Sequence, residues 1–345
     1  EVERAILEYE PTSVVCCLAS RDGLGENAFK IDYGGGSNLL KGLEKLNEEK
    51  SLNIPPHYVL LSAYCCGKPL LQFQYAKLKL EEELILSAMC SVDEPEGCYD
   101  SLEKSSELER YVAKEAVESL TPQKSKVLPY GGGGVTHSII RPTAYFKSLD
   151  GQIEAARKGS PILFFGKGTC SANAISQRDL AAFMVDSAVD PVSARGGMMN
   201  TIRNVGGPDV PPLSKKQQAN LIYDTLGVPE AERRFISLPL GLIGGLISFF
   251  QGVKALSTAL NLEGFAQKCE DASEIARIVK YYAEEPMVAI GKDEVHGNDT
   301  LRDHFRSVAD NGGRLAEVDG YTTTSGVVGM VLKNEYVDTK AEVKV

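Results

Sequence analysis

The chain contains no tryptophan, no Cys-x-x-Cys spacing and only four histidines among 345 residues. His57, His137, His296 and His304 show no ligand spacing, so no metal site is expected. Basic charge is also short: the formal net charge is −10. A surface of that sign disfavours nucleic acid as a partner. Long apolar runs are missing too. The strongest, 238–253, is shorter than the roughly 20 residues of a membrane span and carries Pro239 and four glycines. It reads as a buried helix or as the lining of an apolar pocket. Wholesale disorder and fibrous architectures are excluded by 43% hydrophobic and 24% charged residues. The eight cysteines do not form a disulfide framework. Cys16-Cys17 and Cys65-Cys66 are adjacent pairs inside apolar runs, and a chain this long needs no staples.

What is present is an alternation. Ser13 to Leu18, Tyr58 to Ala63 and Ser138 to Pro142 are short continuous apolar runs, as expected of strands buried on both faces. Between them, Tyr33 to Leu46 and Leu71 to Met89 have helical periodicity, the second with Glu81-Glu82-Glu83 as its wet side. This rhythm predicts an α/β fold with a doubly wound parallel sheet. Residues 91–134 interrupt it: acidic and Ser-rich, with capping-box spacing at Ser106 and Glu109, they read as a surface insertion. Further on come a strand at 161–165, a helix started by Ser176, and a strand at 201–205. A helix capped by Ser214 and Gln217 and closed by Gly227 follows.

A doubly wound sheet binds its ligand at the carboxyl ends of its strands. Here those positions are Ala19-Ser20, Ser62-Ala63 and Pro142-Thr143. The helix after Ser62 opens Phe73-Gln74-Tyr75-Ala76-Lys77, where short-chain dehydrogenases carry Tyr-x-x-x-Lys. Lys77 and Ser62 match that pattern, but Phe73 stands at the tyrosine position. Tyr75 is roughly 200° around the helix and does not substitute for it.

Several blocks extend the resemblance: CLASR (17–21), KIDY (30–33), YVLLSA (58–63), KPLLQFQYAKLKLEEEL (68–84) and RPTAYFKSLDGQ (141–152). FGKGTCSANAISQRDLAAF (165–183), NVGGP (204–208) and KYYAEEPM (280–287) continue the series. In these blocks the chain resembles the plant and algal NADPH-dependent divinyl chlorophyllide 8-vinyl reductases, atypical short-chain dehydrogenases of the NmrA and isoflavone-reductase kind. That family itself has Phe at the tyrosine position.

The resemblance implies a Rossmann-like NAD(P)-binding region at 1–145 and 171–206, and a smaller α+β substrate-binding region at 146–170 and 207–345. It implies NADPH as cofactor, a tetrapyrrole as substrate and reduction of its 8-vinyl group. It also implies a plastid setting and peripheral association with plastid membranes. Lys77 and Ser62 become the expected catalytic pair. Ala19, Ser20, Ser62, Lys77, Pro142, Thr143 and Ala144 become the expected cofactor contacts, and Tyr145, Phe146 and Leu242 the expected substrate pocket. Tyr75, Tyr145 and water remain open as proton donors. The family opens with a strand, a Gly-x-x-Gly-x-x-Gly turn and a helix. The chain shows no such unit, so it is expected to be an N-terminally truncated copy that grips NADPH weakly by itself. Two alternatives stay open: another NmrA-like or isoflavone-reductase-like NADPH oxidoreductase, and a non-catalytic dinucleotide-sensing member.

Overall fold

The computed structural model describes residues 1–89 and 134–310. The expected insertion, with Ser106 and Glu109, lies outside the described residues apart from Gly134. Helix α1 (Val2–Tyr9) leads into β1 (Ser13–Cys16). A short α2 (Gly25–Asn27) continues through a π-helical stretch, Ala28–Gly35, into α3 (Gly36–Lys50). Then follow β2 (His57–Leu61), α4 (Gln72–Met89) and β3 (Thr136–Pro142). The remainder comprises α5 (Asp150–Arg157), β4 (Ile162–Phe165), β5 (Ser171–Ala172), α6 (Gln177–Val189) and β6 (Thr201–Val205). After these come β7 (Leu213–Ser214), α7 (Lys215–Thr225), β8 (Phe235–Leu238), α8 (Leu240–Ala259), α9 (Glu263–Glu284) and α10 (Leu301–Asp310).

The main sheet is parallel throughout, in the order β1-β2-β3-β6. Cys16 pairs with Leu60, Leu61 with Ile140 and Pro142 with Val205, so the strands end near one another. Side-chain alternation builds two cores from one strand. Tyr58 and Leu60 of β2 face Leu40, Leu43, Leu80 and Leu84 of α3 and α4. Val59 faces Leu180, Phe183 and Met184 of α6 on the opposite side. Helices on both faces of a parallel sheet make this an α/β, doubly wound fold. A separate apolar cluster joins Phe146, Ile153 and Ile162 to Ile222, Tyr223 and Phe305. Alongside it, β4 pairs with β8 and β5 with β7.

Two expectations about surfaces are corrected. Glu81 is not on a wet face: it is 2% exposed and ion-paired with Arg141 of β3. Glu83 accepts from Ser37 Oγ at 2.7 Å and from the Tyr33 hydroxyl. Charge repeats along α4 therefore mark polar ties to neighbouring elements. The run 238–253 is not a buried helix either. It forms most of α8, whose only buried residues are Ile243 and Ser257.

Two histidines give the fold a pH dependence. His57 and His137 are buried on β2 and β3, and burial lowers each from 6.5 to about 4. The His137 Nδ1 atom is buried without a hydrogen-bond partner among the described residues, so a proton there is costly. The unfolded chain takes up these protons near pH 6.5 and the folded chain only near pH 4. Stability contributed by each site is thus complete above pH 6.5 and lost as pH falls toward 4. Chemical unfolding at pH 8 and pH 5 should differ by about 2 kcal/mol per histidine, with the protein weaker at pH 5. His137→Gln should remove about half of that difference. Equal stability at the two pH values would contradict the neutral, buried assignment.

Candidate active site

Lys77 rises from the second turn of α4 and is nearly buried, with 8% of its side chain exposed. Its ammonium lies 3.1 Å from Asp32 Oδ1 and 3.5 Å from the carbonyl of Leu61, at the carboxyl end of β2. Asp32 is equally buried, and its Oδ2 accepts from the Ser20 amide at 2.7 Å, after β1. A single carboxylate thus joins the loop after β1 to the lysine of α4. The π-helical stretch puts it there. Gly36 leaves room for Leu80, which lies 2.2 Å from where a Cβ would stand, and the Gly36 carbonyl accepts from Tyr58 at 3.1 Å. Asp32 lies one turn before that close approach. π-helical turns of this kind often occur at functional sites.

Ser62 is also buried, and its hydroxyl donates to Glu81. Glu81 in turn accepts from Arg141 Nε at 3.1 Å and from a second Arg141 nitrogen. Burial works against the Arg141 charge, but the adjacent Glu81 carboxylate outweighs it and raises the guanidinium further. Ser62 thus anchors α4 to β2 and β3, one helical turn beyond Lys77.

An apolar pocket of about 440 Å³ opens at these strand ends. Cys17, Leu61, Tyr145 and Lys147 line it, together with Leu180 and Met184 of α6. Tyr145 is pushed up to about 12 by burial first, then by the neighbouring Cys17 and Cys65 thiols. Burial also raises Cys17, while the nearby Lys77 pulls the other way. Ala19 is exposed beside this array, and Ser20 Oγ is buried with no partner among the described residues.

Pro142 ends β3 opposite Val205. The next two residues form a fixed ledge. The Thr143 amide donates to Val205 O at 2.9 Å and its hydroxyl to Asn173 O at 2.7 Å, while the Ala144 carbonyl accepts from Ile175 at 2.8 Å.

The other expected pocket residues lie elsewhere. Phe146 is 1% exposed in the separate apolar cluster, its ring 5.3 Å from that of His304. Leu242 is 58% exposed on α8 and is not part of this pocket lining. Phe73 packs with Leu71, Ile278 and Tyr281, against α9. Tyr75 donates to the Pro69 carbonyl at 3.4 Å and is raised by burial and then by Glu274 of α9.

Sequence reasoning missed Asp32, Glu81 and Arg141 as members of this array. A signal for Asp32 existed. Ala28, Asp32, Gly36, Leu40 and Leu43 are all buried, so the acid sits on an otherwise uncharged stripe facing the core.

Among curated proteins, the chain is 32% identical over 310 residues to the divinyl chlorophyllide a 8-vinyl-reductase of Zea mays. It is 33% identical over 312 residues to the protein of the same name from Cucumis sativus. The chain is similar to this family over most of its own length. Each match covers 87% of the chain but only 61% and 58% of the relatives, so the chain spans about three-fifths of their length. No family model matches it.

Solved structures overlap more loosely. The NADPH complex of quinone oxidoreductase QOR2 from Escherichia coli has a TM-score of 0.43 at 11% identity, covering 89% of this chain and 80% of that one. The dTDP-glucose 4,6-dehydratase of Bacillus anthracis has 0.42 at 13% identity, covering 68% and 64%. The fold assignment therefore rests on the sheet itself.

Proposed function

We propose that the chain carries the site at which the 8-vinyl group of a divinyl chlorophyllide is reduced to ethyl, with NADPH as reductant, in a plastid. The observation that carries this reading is the buried Lys77–Asp32 pair at the end of β2, beside an apolar pocket, in a chain similar to this family.

The residues fit a nicotinamide dinucleotide. The pocket is apolar and of ligand size, Ser20 Oγ is buried with no hydrogen-bond partner among the described residues, and Lys77 is a cation held at the strand ends. On this reading Lys77 binds the ribose hydroxyls, Asp32 sets its direction, and Ser20 with Ala19 meets the sugar from β1. Pro142, Thr143 and Ala144 support the ring as a ledge. Ser62 acts by holding α4 through Glu81. When bound, NADPH supplies the hydride.

The vinyl carbons gain that hydride and one proton, and the conjugated macrocycle spreads the charge between the two events. Tyr145 is the proton donor best placed in this pocket: burial keeps its hydroxyl protonated, and water restores the proton after transfer. Because the macrocycle carries the charge, no oxyanion has to be neutralised and a tyrosine at position 73 is not needed.

The macrocycle is broader than the pocket, so its vinyl edge enters and the rest lies across the mouth. The pocket volume favours one alternative, a smaller conjugated alkene held wholly inside, as in an isoflavone-reductase-like enzyme. Competition between divinyl chlorophyllide and a small enone, followed by the Soret shift and by NADPH absorbance, separates the two readings. Preferred turnover of the pigment supports the proposal, and preferred turnover of the enone overturns it.

Phe73→Tyr tests the role of the missing tyrosine. Its new hydroxyl would enter the cluster of Leu71, Ile278 and Tyr281, at a desolvation cost of about 1–3 kcal/mol if unpaired. Vinyl reduction should not accelerate. A tenfold gain, about 1.4 kcal/mol off the barrier, would show that an acid at position 73 limits the rate.

A further inference from the structure

The α8–α9 hairpin presents an apolar face that the catalytic reading does not use. Between Arg234 and Glu263 the sequence carries one charge, Lys254, and that ammonium is paired with Glu270 of α9 at 2.7 Å. Leu242, Leu246, Phe249, Leu256 and Leu260 recur at spacings of four, three, seven and four, so they form one stripe along α8. Each is more than half exposed, Phe249 at 62%. Leu262 and Phe265 extend the face around the hairpin tip, at 51% and 53%. By length and composition α8 could cross a membrane, and its 20 residues measure about 30 Å.

We infer that this hairpin docks on a lipid surface, with α8 lying in the interface of an uncharged bilayer. Charge decides among the occupants. Paired helices that recognise a second copy normally carry charged residues along the edges of the seam, which set register and partner. Here one edge of the stripe is Gly241, Gly245 and Gly252, each opening onto free space, and it offers no charge for a protein partner to complement. Hydrocarbon needs none. A net charge of −10 also opposes both self-association and attraction to anionic headgroups.

The hairpin does not span. Crossing would bring α9 into the hydrocarbon, and α9 carries Glu270, Glu274 and Arg277 in an ion-pair network. With α9 on the water side and α8 beneath it, the apolar stripe enters the interface and the network stays hydrated. The inference stands on the exposed stripe and does not depend on the vinyl-reduction reading.

The test is co-sedimentation of the chain with phosphatidylcholine vesicles, alongside sedimentation velocity without lipid. Phe249→Glu combined with Leu256→Glu should lower the partition coefficient by about tenfold or more, whereas Phe249→Leu should change it by less than about twofold. Both positions are exposed, so thermal melting of the variants should match that of the parent. Vesicles doped with phosphatidylglycerol should bind no more tightly than phosphatidylcholine alone. Three results would each overturn the inference. One is failure of the parent chain to sediment with phosphatidylcholine. Another is binding that requires anionic lipid. The last is a lipid-free dimer that the two glutamates abolish, which would assign the face to a second copy.

Discussion

Lys77→Ala should destabilise the fold by about 3–5 kcal/mol, far more than loss of a surface lysine. The substitution leaves Asp32 with 2% of its side chain exposed and, among the described residues, no ion-pair partner. The Ser20 amide would remain on its Oδ2, but a single neutral donor does not replace an ammonium at 3.1 Å. The double variant Lys77→Met with Asp32→Asn removes both charges and should recover most of the loss, because a well-packed neutral pair avoids the desolvation cost. Urea unfolding of the two single variants and the double closes the cycle. A change below about 0.5 kcal/mol for Lys77→Ala would return this lysine to an ordinary solvated role. Function should separate from stability: the double variant should fold but bind reduced nicotinamide mononucleotide at least about tenfold more weakly, since the ribose would lose its cation.

Glu81→Ala should be comparably severe, again about 3–5 kcal/mol. Glu81 is the shared acceptor for Ser62 and Arg141, so its removal strands a buried hydroxyl and a guanidinium with only 14% of its side chain exposed. Glu81→Gln keeps the shape and one acceptor oxygen but loses the charge, and should fall between parent and alanine variant. Glu81→Leu with Arg141→Met should recover much of the loss. Glu81 lies four residues beyond Lys77 on α4, so these variants should also loosen ligand binding even where they fold. An alanine variant as stable as the parent would mean that Arg141 finds water or another acceptor.

The features legible in the sequence were local ones. Continuous apolar runs marked β1, β2 and β3, and period 3.6 marked α4. The Ser176 and Ser214 caps were readable because a hydroxyl and an amide three residues on are neighbours in any helix start, and both bonds are present. Lys77 stands out in the sequence by its spacing from the tyrosine position. What stayed hidden was long-range. Asp32 meets Lys77, and Glu81 meets Arg141, only because parallel pairing stacks β1, β2 and β3, and no spacing encodes that. Phe146 and Leu242 lie outside the described pocket for opposite reasons. Hydrophobicity shows that a side chain avoids water in some context, but it does not distinguish a core position from an exposed face. The 238–253 run reads as buried by composition, yet among the described residues most of α8 outside Ile243 and Ser257 is left exposed or half-buried.

The most direct measurement is a single turnover of divinyl chlorophyllide with reduced nicotinamide mononucleotide deuterated at the transferring position. This donor presents the nicotinamide ribose without the adenosine half, so it interrogates the site around Lys77 alone. The account predicts one deuterium in the new ethyl group by mass spectrometry, with the second hydrogen drawn from solvent. It also predicts that the transfer is lost in the Lys77→Met, Asp32→Asn double variant. Absence of deuterium transfer in the parent chain, or transfer that survives removal of Lys77, would contradict it.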